Sequence, residues 1–422
     1  MFRHLYSLIF TLIFPLVLAK LFWRGVQAEE YKARRLERFG LFPAPSLRRP
    51  IWIHALSVGE VIAAEPIVKQ LQQRYPERDI VITTMTPTSS TRIAQTFGDS
   101  VFHVYAPYDL PIFVRAFLRR IQPEFLMIME TELWPNMIHL TRARGCKVVV
   151  ANARLSERSA AGYRRLSPII GWMLNELSLV LSQYSSDAKR FESLNIDPGK
   201  IHVTGSVKYD ITIGADVLEQ GAALRRELAP ERIVWVAAST HEGEDGRALT
   251  AHELIRARHP SAVLILVPRH PERFESTVQL AKKRGFQVYR RTEQHAIPTE
   301  AEVYVLDTMG ELLSAYAATQ FAFIGGSWVE VGGHNPIEAA ALSLPMFIGP
   351  HYFNFEVVCA RLIAAGALEI VRDENALALA MLALIDAPKK AAGRGARALA
   401  EVEANRGAVE RVVRQVTGLL ED

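Results

Sequence analysis

Short apolar runs alternating with helical patterns constrain this chain more than any other feature. Runs that read as strands are 51–55, 80–84, 101–105, 125–129, 148–151, 179–182 and 201–204. A polar, charged stretch follows at 210–232, and a second series begins: 233–237, 263–267, 287–289, 303–306, 321–324, 345–348 and 368–371. Helical patterns such as 63–74, 88–97, 112–120 and 134–144 lie between them. Such alternation argues for mostly parallel sheets with helices on both faces. With 422 residues the chain is too long for one simple core, so two domains are expected. The expected layout is an N-terminal anchor at 1–24, one Rossmann-like domain at 25–210, a second at 211–400, and a helical tail at 401–422. Two Rossmann-like halves are expected to face a cleft, with ligands at the carboxyl ends of the strands.

The N-terminus has a different chemistry. Residues 5–19 (LYSLIFTLIFPLVLA) carry no charge, and extension past Lys20 to Trp23 approaches the ~20 residues a bilayer span needs. The segment resists reading as a cleaved signal peptide, because its basic n-region is thin and a small-x-small cleavage site is lacking. Residues 1–50 hold nine Lys/Arg against three Glu, a net of +6 in a chain whose formal net charge is +4. Positive charge beside the most apolar segment points to an anionic membrane surface and not to nucleic acid. By the positive-inside rule, Lys20, Arg24, Lys32, Arg34, Arg35 and Arg38 keep the bulk of the chain in the cytoplasm. Whether the segment crosses the bilayer or lies in its interface stays open, since the uncharged run is short and Pro15 interrupts it. Cys146 and Cys359 stand far apart, which excludes a disulfide framework and a structural zinc site.

The loops after the strands hold the candidate chemistry. The first strand ends in HALSVGE, where Gly59 permits a tight turn and Glu60 opens the next helix. Glu60 reads either as a helix-terminus carboxylate or as a general base held at a cleft. The fourth strand ends in Glu130-Thr131-Glu132, two carboxylates that are costly without a cation or a task. The seventh ends in GSVKYD, placing Lys208 at the hinge, where it reads as a surface lysine or as a partner for phosphate or Glu. In the second half, PRHPERF brings Arg269 and Arg273 with His270 after a buried strand, which suits anion recognition. DTMGEL puts Gly310 at another helix start. No G-x-G-x-x-G follows any strand, which argues against a dinucleotide cofactor. No acidic metal motif is present, and no cofactor or metal is expected.

The stretch 321–350 (FAFIGGSWVEVGGHNPIEAAALSLPMFIGP) condenses the pattern into one βαβ unit. A buried strand gives way to Gly325-Gly326, a second Gly pair follows at 332–333, and then a helix start. Asn335 is expected to cap, Pro336 to take the first helical position, and Glu338 to sit three residues after the cap. A strand, a glycine loop and a helix N-terminus leave N–H groups that favour phosphate. An ordinary well-capped βαβ unit reads the same way.

HALSVGE, ETELWPN, TGSVKYD, VPRHPERF, DTMGEL and GGSWVEVGGHNPIE, in this order and behind an apolar N-terminus, together resemble the Kdo transferases of Gram-negative bacteria. The resemblance covers nearly the whole chain and implies the two-domain GT-B fold on an N-terminal membrane-anchor helix. It implies transfer of 3-deoxy-D-manno-octulosonic acid (Kdo) from CMP-Kdo to lipid IV-A in lipopolysaccharide inner-core synthesis, at the cytoplasmic side of the inner membrane. The 25–210 domain would take the acceptor and the 211–400 domain the CMP-sugar. Glu60 would be the catalytic base, and Glu130 and Lys208 would stabilise the transition state. CMP would be held by Pro268 and Arg269, by Met309, Gly310 and Glu311, and by Asn335, Pro336, Ile337 and Glu338. Alternatives are a membrane-anchored GT-B enzyme using a UDP-sugar, a nucleotide-sugar epimerase of the same architecture, and a tethered binding protein that has lost activity. The number of Kdo residues transferred, the acceptor's acylation and the oligomeric state are not written in the sequence.

Overall fold

A computed structural model describes residues 2–27, 29–165, 167–293 and 297–421. Residues 1 and 422, the outer ends of the expected anchor and tail, lie outside them. The chain divides into two compact units, 1–210 with 407–422, and 211–406.

The first unit is built on seven strands: β1 (Ile51–His54), β2 (Ile80–Thr84), β3 (Phe102–Tyr105), β4 (Phe125–Met129), β5 (Lys147–Ala153), β6 (Leu179–Ser182) and β7 (Ile201–Val203). They form one sheet in the order β3-β2-β1-β4-β5-β6-β7, and every pairing is parallel. Each strand is a near-continuous apolar run because helices cover both faces. Alternate residues therefore serve different cores. Ile51 and Ile53 face one cluster, and Trp52 between them faces the other.

The second unit repeats the plan with β8 (Val234–Thr240), β9 (Val263–Pro268), β10 (Val288–Arg290), β11 (Val303–Val305), β12 (Phe321–Ile324), β13 (Met346–Ile348) and β14 (Leu368–Ile370). Their order is β10-β11-β9-β8-β12-β13-β14, again all parallel. Two doubly wound parallel sheets, one in each unit, are the GT-B architecture. The seven-plus-seven count of apolar runs is reproduced, with ends shifted by up to three residues.

The expected tail at 401–422 is divided. One helix, Pro388–Ala404, closes the second unit, and the next, Ala408–Glu421, belongs to the first. Ala408, Val409, Val412, Val413 and Val416 are buried in the same cluster as Ile51 and Ile53. A buried valine contributes roughly 1.5–3 kcal/mol, so this helix is part of the core and not an appendage. Asp210 fixes its entry by accepting from the N–H groups of Gly407 and Val409 at 2.5 and 2.6 Å.

The N-terminal helix spans Phe2–Gln27. It is the one helix among the described residues long and apolar enough to cross a membrane, judged by length and composition. One side touches the first unit. Phe14 packs on Phe39, Tyr108 and Phe113, and Arg3 and Ser7 hydrogen-bond Asn136. The other side leaves Leu5, Leu8, Ile9, Leu12, Ile13, Leu16 and Trp23 exposed.

Candidate active site

Glu60 lies in the first turn of the helix Val58–Arg74, directly after β1. Ser57 caps that helix, accepting from the Glu60 N–H at 3.2 Å. The Glu60 carboxylate turns back on the same turn. Its Oε1 accepts from the Ser57 hydroxyl at 2.7 Å and its Oε2 from the Leu56 N–H at 2.9 Å. The two readings of Glu60 are thus compatible: it ties off the helix start and is buried there. Burial pushes its pKa up to about 7, with Glu132 and Glu130 adding repulsion and the Ser57 and Leu56 hydrogen bonds acting against it. A carboxyl poised near neutrality is suited to accept a proton at working pH.

Glu130 follows β4 with φ +56°, a left-handed backbone that a glutamate adopts only when its surroundings impose it. Its Oε1 lies 3.5 Å from Lys208 Nζ, so the strand-end carboxylate and the hinge lysine do meet. Lys208 rides on a short turn, Val207–Tyr209, whose first N–H is accepted by Asn152 Oδ1 at 3.3 Å. Asn152 is itself buried at φ +53°, and among the described residues its amide nitrogen has no hydrogen-bond partner. Burial raises the Glu132 carboxyl, against a hydrogen bond from Trp134. The remainder of ETELWPN is structural: Asp109 accepts from the N–H groups of Asn136 and Met137 and so caps the helix Pro135–Arg142. His54 of HALSVGE is also structural, buried against Thr83 and Trp134 and kept neutral by burial with a pKa of about 3.

In the second unit, Pro268 ends β9 buried, and Arg269 follows it with an exposed side chain. Among the described residues no carboxylate pairs with Arg269. Arg273, expected beside it as a second anion ligand, is consumed internally by Asp245 and the Thr240 carbonyl. Met309 is exposed and Gly310 takes φ +89°. Glu311 is clamped by Arg291, with contacts of 3.0 to 3.3 Å, and by Thr308. Asn335 does not take the expected cap position: Pro336 is the N-cap, and Asn335 before it accepts from the Ile337 N–H at 3.1 Å in a turn that leads into the helix. The helix starts at Ile337, one residue later than expected, and is only five residues long. Its dipole is correspondingly small. Burial raises the Glu338 carboxyl, while Asn335 and Arg269 act against that shift.

The glycine loop after β12 differs from a phosphate cradle. Its N–H groups at Gly326, Ser327 and Trp328 all donate to Glu244, at 2.6 to 3.0 Å, as does His241 N–H at 2.9 Å. A fully buried carboxylate from the helix Glu244–Arg256 already fills the nest. Gly325 is required because a Cβ there would stand 2.7 Å from the carbonyl oxygens of Ala238 and Ser239. Sequence reasoning passed over the run His241 to Glu244 after β8. The signal it offered was a His and a Glu around Gly243 at the end of a buried strand. Among the described residues no group of three or more His, Cys, Asp or Glu could hold a metal ion.

A family model described as 3-Deoxy-D-manno-octulosonic-acid transferase (kdotransferase) matches residues 33–211. A 3-deoxy-D-manno-octulosonic acid transferase of Haemophilus influenzae is 40% identical over 98% of this chain and 97% of that protein. One from Bordetella pertussis is 32% identical over 97% and 98%. Among solved structures, a UDP-GlcNAc 2-epimerase from Neisseria meningitidis aligns with a TM-score of 0.61 at 12% identity, covering 88% of this chain and 100% of that one. This last likeness is one of fold alone.

Proposed function

Because the chain belongs to the 3-deoxy-D-manno-octulosonic acid transferase family, and is a Kdo glycosyltransferase of lipopolysaccharide biosynthesis, we propose that it moves Kdo from CMP-Kdo to lipid IV-A with inversion, using Glu60 as general base. The observation that carries this reading is the Glu60 environment: a buried carboxyl at a strand end, oriented by two hydrogen bonds, with a pKa of about 7.

The acceptor hydroxyl attacks the anomeric carbon of Kdo while Glu60 removes its proton. The C–O bond to the CMP phosphate breaks, and CMP leaves. Positive charge builds on the ring carbon and negative charge on the phosphate. Lys208, held by Glu130, and Arg269 stabilise that negative charge. Pro268 with Arg269, the Met309 to Glu311 turn and the Asn335 to Glu338 turn hold CMP. The leaving group is good enough that the chemistry calls for no metal. We place the enzyme at the inner membrane with its catalytic domains on the cytoplasmic side, attached through Phe2–Gln27 and the basic residues that follow. An amphipathic, phosphorylated glycolipid acceptor accounts for that anchor.

The test is incubation of the purified enzyme with lipid IV-A and CMP-Kdo, in parallel with UDP-sugars, read by mass spectrometry and by NMR of the new anomeric centre. The expected product gains Kdo with inverted configuration, and Glu60→Ala binds CMP without transferring. Turnover of a UDP-sugar in place of CMP-Kdo, retention of configuration, or substantial transfer by Glu60→Ala would each overturn the corresponding part.

A further inference from the structure

Three imidazoles gather at the carboxyl edge of the second sheet, outside the roles assigned above. His241 follows β8, His270 follows β9, and His334 lies in the loop after β12. These three strands are consecutive in the sheet, and the winding direction reverses between β8 and β12. Open α/β sheets take their ligands at that reversal. His241 Nε2 and His334 Nε2 stand 2.8 Å apart, and the His270 ring lies edge-on to His241 at 5.3 Å. The backbone seats the pair closely: a Cβ on Gly326, at φ +68°, would lie 2.9 Å from the His334 ring.

A contact of this length between ring nitrogens holds one proton, with one Nε2 donating and the other accepting. In the neutral pair, the donating ring has a lone pair on Nδ1 and the accepting ring has its proton there. One more proton makes both Nδ1 atoms donors and gives the pair a positive charge.

The surrounding charges decide when that happens. Arg269, Arg273 and His270 come from the loop after β9, Glu244 and Asp245 from the helix Glu244–Arg256, and Glu338 from the helix Ile337–Ala341. Asp245 is engaged with Arg273, and Glu244 with four backbone N–H groups. Burial, followed for His334 by the neighbouring His241, Arg269 and His270, keeps both imidazoles below the usual range, His334 at about 4. The pair is therefore uncharged at neutral pH, and among the described residues no carboxylate forms an ion pair with Arg269. An anion beside Arg269 offsets that cation and accepts from a protonated Nδ1, and the two effects together act against the burial that keeps the pair neutral.

We propose that the His241–His334 pair is a proton-linked subsite for the phosphate of the donor nucleotide, which binds beside Arg269 and brings one proton onto the pair from solvent. This rests on the CMP-Kdo reading above and extends it to two side chains. Departure of the nucleotide returns the proton.

Calorimetry on the detergent-solubilised full chain tests it, with cytidine and cytidine 5′-methyl phosphate as probes. The ester is a phosphodiester whose single charge does not titrate near neutrality. Titrations at pH 6, 7 and 8, in buffers of different ionisation enthalpy, report the protons taken up. The wild type is expected to bind the ester with uptake of one proton, and so with affinity that rises toward tenfold per pH unit, about a hundredfold from pH 8 to pH 6. Cytidine binding stays level with pH. His241→Asn and His334→Asn lose both the slope and the advantage of ester over cytidine, whereas His270→Asn keeps them. Ester binding without proton uptake, or an unchanged slope in both pair variants, overturns the proposal while leaving the donor reading intact. A slope seen with CMP-Kdo but not with the ester overturns the phosphate assignment in favour of the Kdo carboxylate. If neither probe nor CMP-Kdo binds the wild type, the donor reading falls and this inference falls with it. Should the variants not fold, the wild-type proton count decides alone.

Discussion

Replacing Glu60 by Gln is expected to stabilise the first unit while it abolishes transfer. The carboxyl titrates at about 7 in the folded protein against a reference of 4.5. A raised folded-state pKa leaves stability intact below the unfolded value. It removes stability as pH rises between the two values, and the full loss is reached once pH passes the folded one. At 1.36 kcal/mol per unit, the gap corresponds to about 3 kcal/mol at pH 8. Glutamine escapes that cost and keeps the contacts: its oxygen can accept from Leu56 N–H, and its amide can donate to Ser57. Urea denaturation of wild type and Glu60→Gln, followed by tryptophan fluorescence at pH 4.5 and at pH 8, measures the difference. Near-equal stability at the acid pH and a variant advantage of about 3 kcal/mol at pH 8 are expected. A variant no more stable than wild type at pH 8 would refute the argument that desolvation sets the Glu60 pKa. Transfer must be absent in the same sample for the stabilised group to be the base.

Three further outcomes follow from neighbouring groups. The acid limb of kcat/KM against pH is expected near 7. Glu132→Gln removes a repelling charge and should move that limb downward by a few tenths of a unit, whereas an upward move contradicts the arrangement. Glu244→Ala strips one carboxylate from four backbone donors, of which three lie in the glycine loop. A loss of more than about 3 kcal/mol in the second unit's unfolding free energy is expected, and a smaller one means that water replaces the carboxylate. Arg269→Ala should weaken CMP binding about tenfold or more in equilibrium dialysis with little change in melting temperature, since among the described residues Arg269 makes no ion pair. An unchanged affinity removes Arg269 from the phosphate site.

Much of the fold was legible because parallel strands buried on both faces must be apolar throughout. Runs such as Phe125–Met129 and Phe321–Ile324 therefore announce themselves at their true limits. The last helix was not legible as core. Its valines recur at helical spacing, but nothing local states that Val409 and Val412 pack beneath Ile51, more than 350 residues earlier. The glycine loop failed for a related reason. Gly325-Gly326 does signal a tight turn with inward N–H groups, but the partner of those groups, Glu244, arrives from the helix after β8 and is invisible to local reading. Arg273 likewise looks available for an anion until Asp245 is brought beside it. By contrast, the seat of Glu60 in the first turn of its helix was legible because its partners, Leu56 and Ser57, are its own neighbours in the chain.

The two sheets place opposite chemistries on the same edge. In the first unit the strand ends carry carboxylates, and Glu60, Glu130 and Glu132 are close enough for Glu132 and Glu130 to raise the Glu60 pKa. In the second unit the strand ends carry Arg269 and three imidazoles, with the nearby carboxylates Glu244 and Asp245 committed to backbone and arginine partners. A proton-accepting task needs a desolvated acid among like charges, and an anion-holding task needs uncommitted positive groups. An arginine beside Glu60 would lower its pKa and weaken it in the proposed role of base near neutrality. Lys208 of the first unit bridges to Glu130 and not to Glu60. If Glu60 is the base, its carboxyl keeps a pKa of about 7 because it is buried and the charges that act on it are those of Glu132 and Glu130.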